Sequence, residues 1–286
     1  MTQIIDGKVL AAKIRTQVAE DVAQIKQVGG RLRFAAVLVG DDPASQIYVR
    51  NKQRACEQVG IEFMLHTLPA DCHQKQITDL IRQLSMDAMV NGILLQLPLP
   101  ATVVGRNEMQ ALNLIDPEKD VDGLTLANMG RLCNHELGLV PCTAQGILLA
   151  VQTVCPDLTG KKVTIIGRSR IVGRPTSLLF TNHDATVTVC HRHTKNLSEH
   201  TRNADIVVVA AGHPGLLTAE MVQPGAIVID VGINRLPTGK VVGDVDFTGV
   251  SLVASAITPV PGGIGPLTIA FLLRNLVAAY RLQHRD

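Results

Sequence analysis

Short, uninterrupted apolar runs alternate along this chain with segments of helical periodicity, and they do so on both sides of a polar stretch bearing Gly and Pro. That alternation narrows the fold more than any other feature. An apolar run too short for a helix and bounded by turn residues reads as a strand buried on both faces, and helices crossing over a parallel sheet provide that burial. In the first half FAAVLVG (34–40), EFMLHTL (62–68) and GILLQLPL (92–99) are strand-like, with helices predicted over about 44–59 and 74–84. Before them Leu10, Ile14, Val18, Val22 and Ile25 recur at helical spacing between Asp6-Gly7 and Gly29-Gly30, a start and a stop. In the second half a helix over about 144–154 leads into KVTIIG (162–167), a helix after Val172, TVTVC (186–190), DIVVVA (205–210) and AIVIDVG (226–232). A last helix is expected over about 266–283, long enough to pack back on the first domain. The periodicity weakens between Asp116 and Thr143, where we place the boundary between two α/β domains, each with a doubly wound parallel sheet.

A length of 286 residues agrees with two domains. Aromatic residues make up 2%, with no Trp and only Tyr48 and Tyr280 as tyrosines, which counts against stacking platforms for single-stranded nucleic acid. A net charge of +2 gives no basic excess to follow a phosphate backbone, so nucleic acid is not an expected partner. The N-terminus has charges every few positions, and no stretch approaches ~18 apolar residues, so a cytoplasmic protein without a membrane partner is expected. Cysteines 56, 72, 133, 142, 155 and 190 show no ligand spacing and read as reduced thiols, with no metal site.

The segment IIGRSRIVGRP places Gly167 where a strand gives way to a helix and Gly173 at the helix start. Free N–H groups and the partial positive charge of a helix N-terminus suit a pyrophosphate there. Ser169 occupies the middle glycine position of the usual dinucleotide fingerprint, so the segment alone also reads as a plain strand-to-helix turn. The next strand ends in CHRHT. Where NAD enzymes carry an acidic residue for the ribose hydroxyl, Arg192 offers a guanidinium suited to a 2′-phosphate, which favours NADP, with Arg168 and Arg174 adding charge. The alternative is a solvated basic loop. In DVGINR, Gly232 and Ile233 are placed to bring backbone near a nicotinamide.

In the first domain ASQIYVRNKQRA sets Tyr48 and Lys52 one turn apart on one helix face. Such a pair can take part in proton transfer, with a desolvated lysine the more readily deprotonated, or it is an exposed lysine beside a packing tyrosine. Gln96 interrupts an apolar strand near its carboxyl end, where α/β sheets bind ligands; it binds a ligand or is satisfied by backbone. DPEKDVDGL carries Asp120 and Asp122 before Gly123, and one of them is suited to cap the following turn. PVPGGIGP (259–266) combines rigid prolines with bare glycine backbone, a wall that a flat ligand can approach.

Taken in order over almost the whole chain, YVRNK, GILLQLPLP, PEKDVDG, GRSRIVGRP and PVPGGIGP resemble the bifunctional methylenetetrahydrofolate dehydrogenase/cyclohydrolase family. The resemblance implies an N-terminal three-layer α/β catalytic domain (1–122 plus 266–286), an NADP-binding Rossmann domain (143–265), a folate cleft between them and a homodimer paired through the Rossmann domain. It implies the oxidation of 5,10-methylenetetrahydrofolate and hydrolysis of the methenyl product in one-carbon metabolism, with purine, methionine and histidine synthesis downstream. Lys52 matches the family's catalytic lysine, Tyr48 the tyrosine that stacks on folate and supports it, Gln96 the glutamine bonded to it, and Asp122 the carboxylate that holds the pterin. Pro261, Gly262 and Gly263 would line the folate site. Gly167, Arg168, Ser169 and Gly173 would form the cofactor's phosphate turn, Arg192 would read the 2′-phosphate, and Ile233 would meet the nicotinamide. Two other readings are a dehydrogenase resembling the shikimate dehydrogenases, against which PVPGGIGP and Gln96 count, and a non-catalytic NADP sensor, against which intact Tyr48, Lys52, Gln96 and Asp122 count.

Overall fold

The computed structural model, which describes residues 2–284, begins with β1 (Gln3–Ile4) and α1 (Gly7–Gln27). It then alternates β2 (Arg33–Val39), α2 (Pro43–Val59), β3 (Glu62–Leu68), α3 (Gln74–Met86) and β4 (Gly92–Leu95). Helices α4 (Glu108–Leu112), α5 (Leu126–Cys133) and α6 (Cys142–Gln152) lead into β5 (Lys162–Ile166), α7 (Gly173–Thr181), β6 (Thr186–Cys190), α8 (Leu197–Thr201), β7 (Ile206–Val209) and β8 (Ile227–Asp230). The pair β9 (Asn234–Arg235) and β10 (Val241–Val242), α9 (Phe247–Val250) and β11 (Ala256–Ile257) precede α10 (Ile264–Gln283).

The chain divides into two compact units: Lys13–Val140 with the residues from Ile269 onward, and Pro141–Thr268 with the residues through Ala12. By sequence, residues 1–12 group with the first domain. Here β1 lies at the edge of the second unit's sheet, where Gln3 N–H donates to the Ser255 carbonyl at 2.8 Å and Ile5 N–H to that of Ile257 at 2.9 Å. A two-residue strand carries no periodicity that would reveal such pairing.

The first unit holds a parallel sheet in the order β3-β2-β4. Central β2 is almost wholly buried, as a continuous apolar run requires, whereas edge β3 alternates. Val37, Ile77, Ile81 and Ile93 form part of one core cluster. Helix α2, which carries Tyr48 and Lys52, has a defined start and stop. The Asp42 carboxylate accepts the Ser45 N–H at 2.8 Å, Pro43 fixes the first turn, and Gly60, with φ 80°, closes the C-terminus in the left-handed region. The cap's bonds to Ser45 hold the Asp42 carboxyl below its ordinary pKa.

In the second unit six strands lie parallel in the order β6-β5-β7-β8-β11-β1. The chain goes from β5 outward to β6 and then returns to β7 on β5's other side, so the strand order reverses between β5 and β7. The crevice beyond the carboxyl ends at such a switch point is where doubly wound sheets bind ligands.

Candidate active site

In the first unit the Lys52 ammonium donates to Gln96 Oε1 at 2.9 Å. Two elements create this bond. Helix α2 presents Tyr48 and Lys52 one turn apart, and β4 delivers Gln96 immediately beyond its carboxyl end. The strand stops at Leu95, one residue short of Gln96, but Gln96 N–H continues the ladder by donating to the Val37 carbonyl at 2.9 Å. The Gln96 amide group donates to the Leu97 carbonyl at 2.9 Å, ahead of the cis Leu97-Pro98 bond. Its orientation is thereby set, with Oε1 toward the lysine. Tyr48 is 41% exposed, so its ring is not committed to the core and offers a face for stacking.

The DVDG segment separates its two carboxylates. Asp120 is buried; its Oδ2 accepts the Thr125 N–H at 2.8 Å and the Asn128 side-chain amide at 3.0 Å, while its Oδ1 has no partner. It anchors the lead-in to α5, and Thr125 caps that helix through Asn128 N–H at 3.3 Å. Asp122 is only half-buried. The structural task of anchoring α5 thus falls to the first Asp. A cavity of about 530 Å³ in this unit, lined by Val18, Leu139, Val277 and Arg281 among others, contains none of these groups.

In the second unit Gly167 has φ 126°, and a side chain there would collide with the Ala210 carbonyl across the β5–β7 crevice. A side chain at Gly173 would strike the Gly167 carbonyl. The Ser169 hydroxyl, at the position where the usual fingerprint has glycine, accepts the N–H of Val172 at 3.2 Å and of Gly173 at 3.4 Å and so braces the turn that leads into α7. Among the described residues the backbone N–H groups of Arg168, Ser169, Arg170 and Ile171 have no partner within the chain. Free donors, a helix N-terminus and a cradle that any Cβ would fill fit a dinucleotide pyrophosphate. At the end of β6 Arg192 is exposed and its Nε donates to His193 Nε2 at 3.1 Å. Partial burial, then Arg168 and His193, hold the His191 imidazole below its ordinary pKa. Ile233 is 54% exposed in the loop after β8.

Pro261, Gly262 and Gly263 also belong to the second unit. A side chain at Gly7 would collide with the Gly263 carbonyl, one at Gly263 would lie 2.6 Å from the Pro259 carbonyl, Gly262 has φ 110°, and Val260-Pro261 is cis. The glycines of PVPGGIGP therefore meet a steric demand of the fold as well as baring backbone.

Sequence reasoning passes over the buried carboxylates Asp230 and Asp244 and the buried Lys119, whose ammonium donates to the carbonyls of Ser85 at 2.7 Å and Asp87 at 2.8 Å and whose pKa is lowered by burial. For the two aspartates the signal was present, since each stands among apolar residues and glycine, and a charge buried there must find partners.

Residues 5–122 match the family description "Tetrahydrofolate dehydrogenase/cyclohydrolase, catalytic domain", and residues 141–284 match "Tetrahydrofolate dehydrogenase/cyclohydrolase, NAD(P)-binding domain". The chain is 50% identical over 283 residues to the bifunctional protein FolD of Anoxybacillus flavithermus, covering 99% of each. Its fold superposes on the crystal structure of the bifunctional FolD methylenetetrahydrofolate dehydrogenase/cyclohydrolase from Campylobacter jejuni with a TM-score of 0.95 at 46% identity, over 99% of this chain and 100% of that one. The Trypanosoma brucei enzyme, solved with NADP cofactor and an inhibitor, gives 0.93 at 35% identity over 100% and 99%.

Proposed function

The chain belongs to the tetrahydrofolate dehydrogenase/cyclohydrolase family, and on that premise we propose that Lys52, Tyr48, Gln96 and Asp122 form its catalytic group and that Gly167, Arg168, Ser169, Gly173, Arg192 and Ile233 hold its cofactor. It is a bifunctional, NADP-dependent methylenetetrahydrofolate dehydrogenase and methenyltetrahydrofolate cyclohydrolase. Membership over the full length sets aside the shikimate dehydrogenase-like and non-catalytic readings. The observation that carries the assignment of residues is the 2.9 Å bond between Lys52 and Gln96 at the carboxyl end of a buried parallel strand.

In the dehydrogenase step the methylene carbon between two folate nitrogens loses a hydride, and the nitrogen lone pairs stabilise the cation that remains. When bound, NADP supplies the hydride acceptor. No proton is moved, so the residues contribute orientation. Asp122 holds the pterin amino group and ring N–H through paired hydrogen bonds, and Tyr48 stacks on the ring. In the cyclohydrolase step water adds to the methenyl carbon, the ring opens to 10-formyltetrahydrofolate, and one proton is released in balance. Lys52 shuttles the protons, with its Nζ aimed by Gln96 and supported by Tyr48. The unpartnered N–H groups 168–171 cradle the cofactor's pyrophosphate, and Arg192 reads the 2′-phosphate.

A cytoplasmic homodimer paired through the NADP-binding unit, serving one-carbon supply to purine, methionine and histidine synthesis, completes the reading. Strand β6, the open edge of the large sheet with Val189 38% exposed, supports the pairing. No described helix is long and apolar enough to cross a membrane.

A spectrophotometric assay with NAD and NADP and with methylene- and methenyltetrahydrofolate tests the site. Lys52→Ala is expected to lose the cyclohydrolase step by ~10²-fold or more. Hydrolysis of methenyltetrahydrofolate by that variant at the unsubstituted rate would overturn the assignment.

A further inference from the structure

Asp230 and Asp244, which the reaction above does not use, are 3% and 0% exposed. Asp244 Oδ2 accepts the N–H of Ala211 at 2.7 Å and of Gly212 at 2.8 Å, while its Oδ1 accepts the N–H of His213 and the side-chain amide of Asn234, each at 2.8 Å. One buried carboxylate thus gathers the successive amides 211–213 after β7 and a side chain of the loop after β8. Asp230, at the end of β8, holds the holder: its Oδ1 accepts the N–H of Gly232 and of Asp244, each at 2.9 Å, and its Oδ2 that of Val245 at 3.0 Å. The packing leaves no slack. A side chain at Gly232 would fall inside the Asp244 carboxylate, and one at Gly243 inside that of Asp230.

Both tied loops leave the carboxyl ends of strands, where doubly wound sheets take their ligands. Residues 211–213 follow Ala210, whose carbonyl faces Gly167 across the crevice. Ile233 sits between Gly232, tied to Asp230, and Asn234, tied to Asp244. We infer that Asp244 is a positioning residue for the nicotinamide side of the cofactor site, fixing the 211–213 loop and the turn that carries Ile233 as one rigid wall, with Asp230 fixing Asp244 in turn. This rests on the cofactor residues assigned above. Among the described residues the phosphate turn and Arg192 make no hydrogen bond to either carboxylate, so the role concerns where the nicotinamide rests more than how firmly the dinucleotide is held.

The activity that needs no cofactor supplies the internal control. Asp244→Asn turns one acceptor into a donor facing N–H groups, so the loop must shift, and misplacement by about 1 Å costs ~10²-fold in an oriented reaction. Dehydrogenase kcat at saturating NADP is expected to fall about tenfold to a hundredfold, with NADP Kd by calorimetry changed less than about threefold. Cyclohydrolase activity without cofactor stays unchanged, and amide exchange speeds up at 211–213. Asn234→Ala removes only one tie and serves where Asp244→Asn fails to fold; there dehydrogenase kcat is expected to fall about threefold, again selectively. Equal losses of both activities, or an unchanged dehydrogenase, in a folded variant would overturn the role of Asp244. The reading beneath it fails separately: if Arg192→Ala leaves the ratio of NADP to NAD affinities unchanged, the cofactor residues are misassigned whatever Asp244 does.

Discussion

Lys52 and Gln96 lie 44 residues apart in sequence, yet they form a 2.9 Å bond because β2 precedes α2 and pairs with β4. The bond is more useful for its direction than its strength. Gln96 is neutral and can only accept from the ammonium through Oε1, so it aims Nζ without placing a negative charge beside it. Gln96→Ala is therefore expected to slow cofactor-free hydrolysis of methenyltetrahydrofolate about tenfold through lost orientation. Gln96→Glu should slow it at least as much, since a carboxylate would retain the ammonium's proton. Steady-state cyclohydrolase rates for the two variants check this, and a Gln96→Glu enzyme as fast as the unsubstituted one would refute it. The i, i+4 spacing of Tyr48 and Lys52 was legible as a shared face, but which residue the lysine meets depends on sheet register and was legible only through resemblance to a family. Asp230 and Asp244 were legible as charges among apolar residues and glycine, but not their partners, which apart from Asn234 are backbone N–H groups and leave no mark on side-chain identity.

Elements were legible in proportion to how much of their stability is local. The run 62–68 reads as a strand and is one, and the helix predicted over about 44–59 is α2, its ends fixed locally by Asp42, Pro43 and Gly60. By contrast α5 depends on Asp120 and Thr125, and β1, β9, β10 and β11 are two-residue strands held by neighbours rather than by their own pattern. The end of β8 carries an electrostatic consequence for stability. Burial raises the Asp230 carboxyl from 3.8 to about 6, outweighing the N–H donors of Asp244, Val245 and Gly232, with the Asp244 charge adding to the rise. Because its folded value lies above the unfolded one, the folded state holds the proton more tightly. The stabilisation is fully present below the unfolded value of 3.8 and is lost as pH rises through about 6. A rise of that size corresponds to about 3 kcal/mol. Denaturant titrations between pH 4 and 7 are expected to show unsubstituted protein losing stability relative to Asp230→Asn as pH increases. A constant difference across that range would show that the three N–H bonds keep Asp230 ionised throughout.

At the scale of the molecule the six thiols report whether both units are folded at once, since each contains buried and accessible cysteines. In the first unit Cys56 and Cys72 are buried and Cys133 is exposed; in the second Cys142 and Cys190 are buried and Cys155 is partly accessible. Burial is also an electrostatic barrier. It pushes the Cys56 thiol up to about 12, with Glu57 adding to the rise and Lys52 opposing it, and it raises Cys72 and Cys190 as well. At pH 8 a thiol at about 12 is ionised in about one molecule in 10⁴, and only the thiolate attacks a disulfide reagent. Native protein at pH 8 is therefore expected to react with an aromatic disulfide in two phases. Cys133 and then Cys155 modify quickly, and the remaining four thiols wait for unfolding, which exposes all six. Mass spectrometry of the quenched samples assigns the sites. Denaturant added stepwise separates the units: if they unfold independently, Cys56 and Cys72 become reactive at one denaturant concentration and Cys142 and Cys190 at another. Simultaneous release of all four would mean that the two units form one cooperative body, and fast native labelling of Cys56 would contradict its burial.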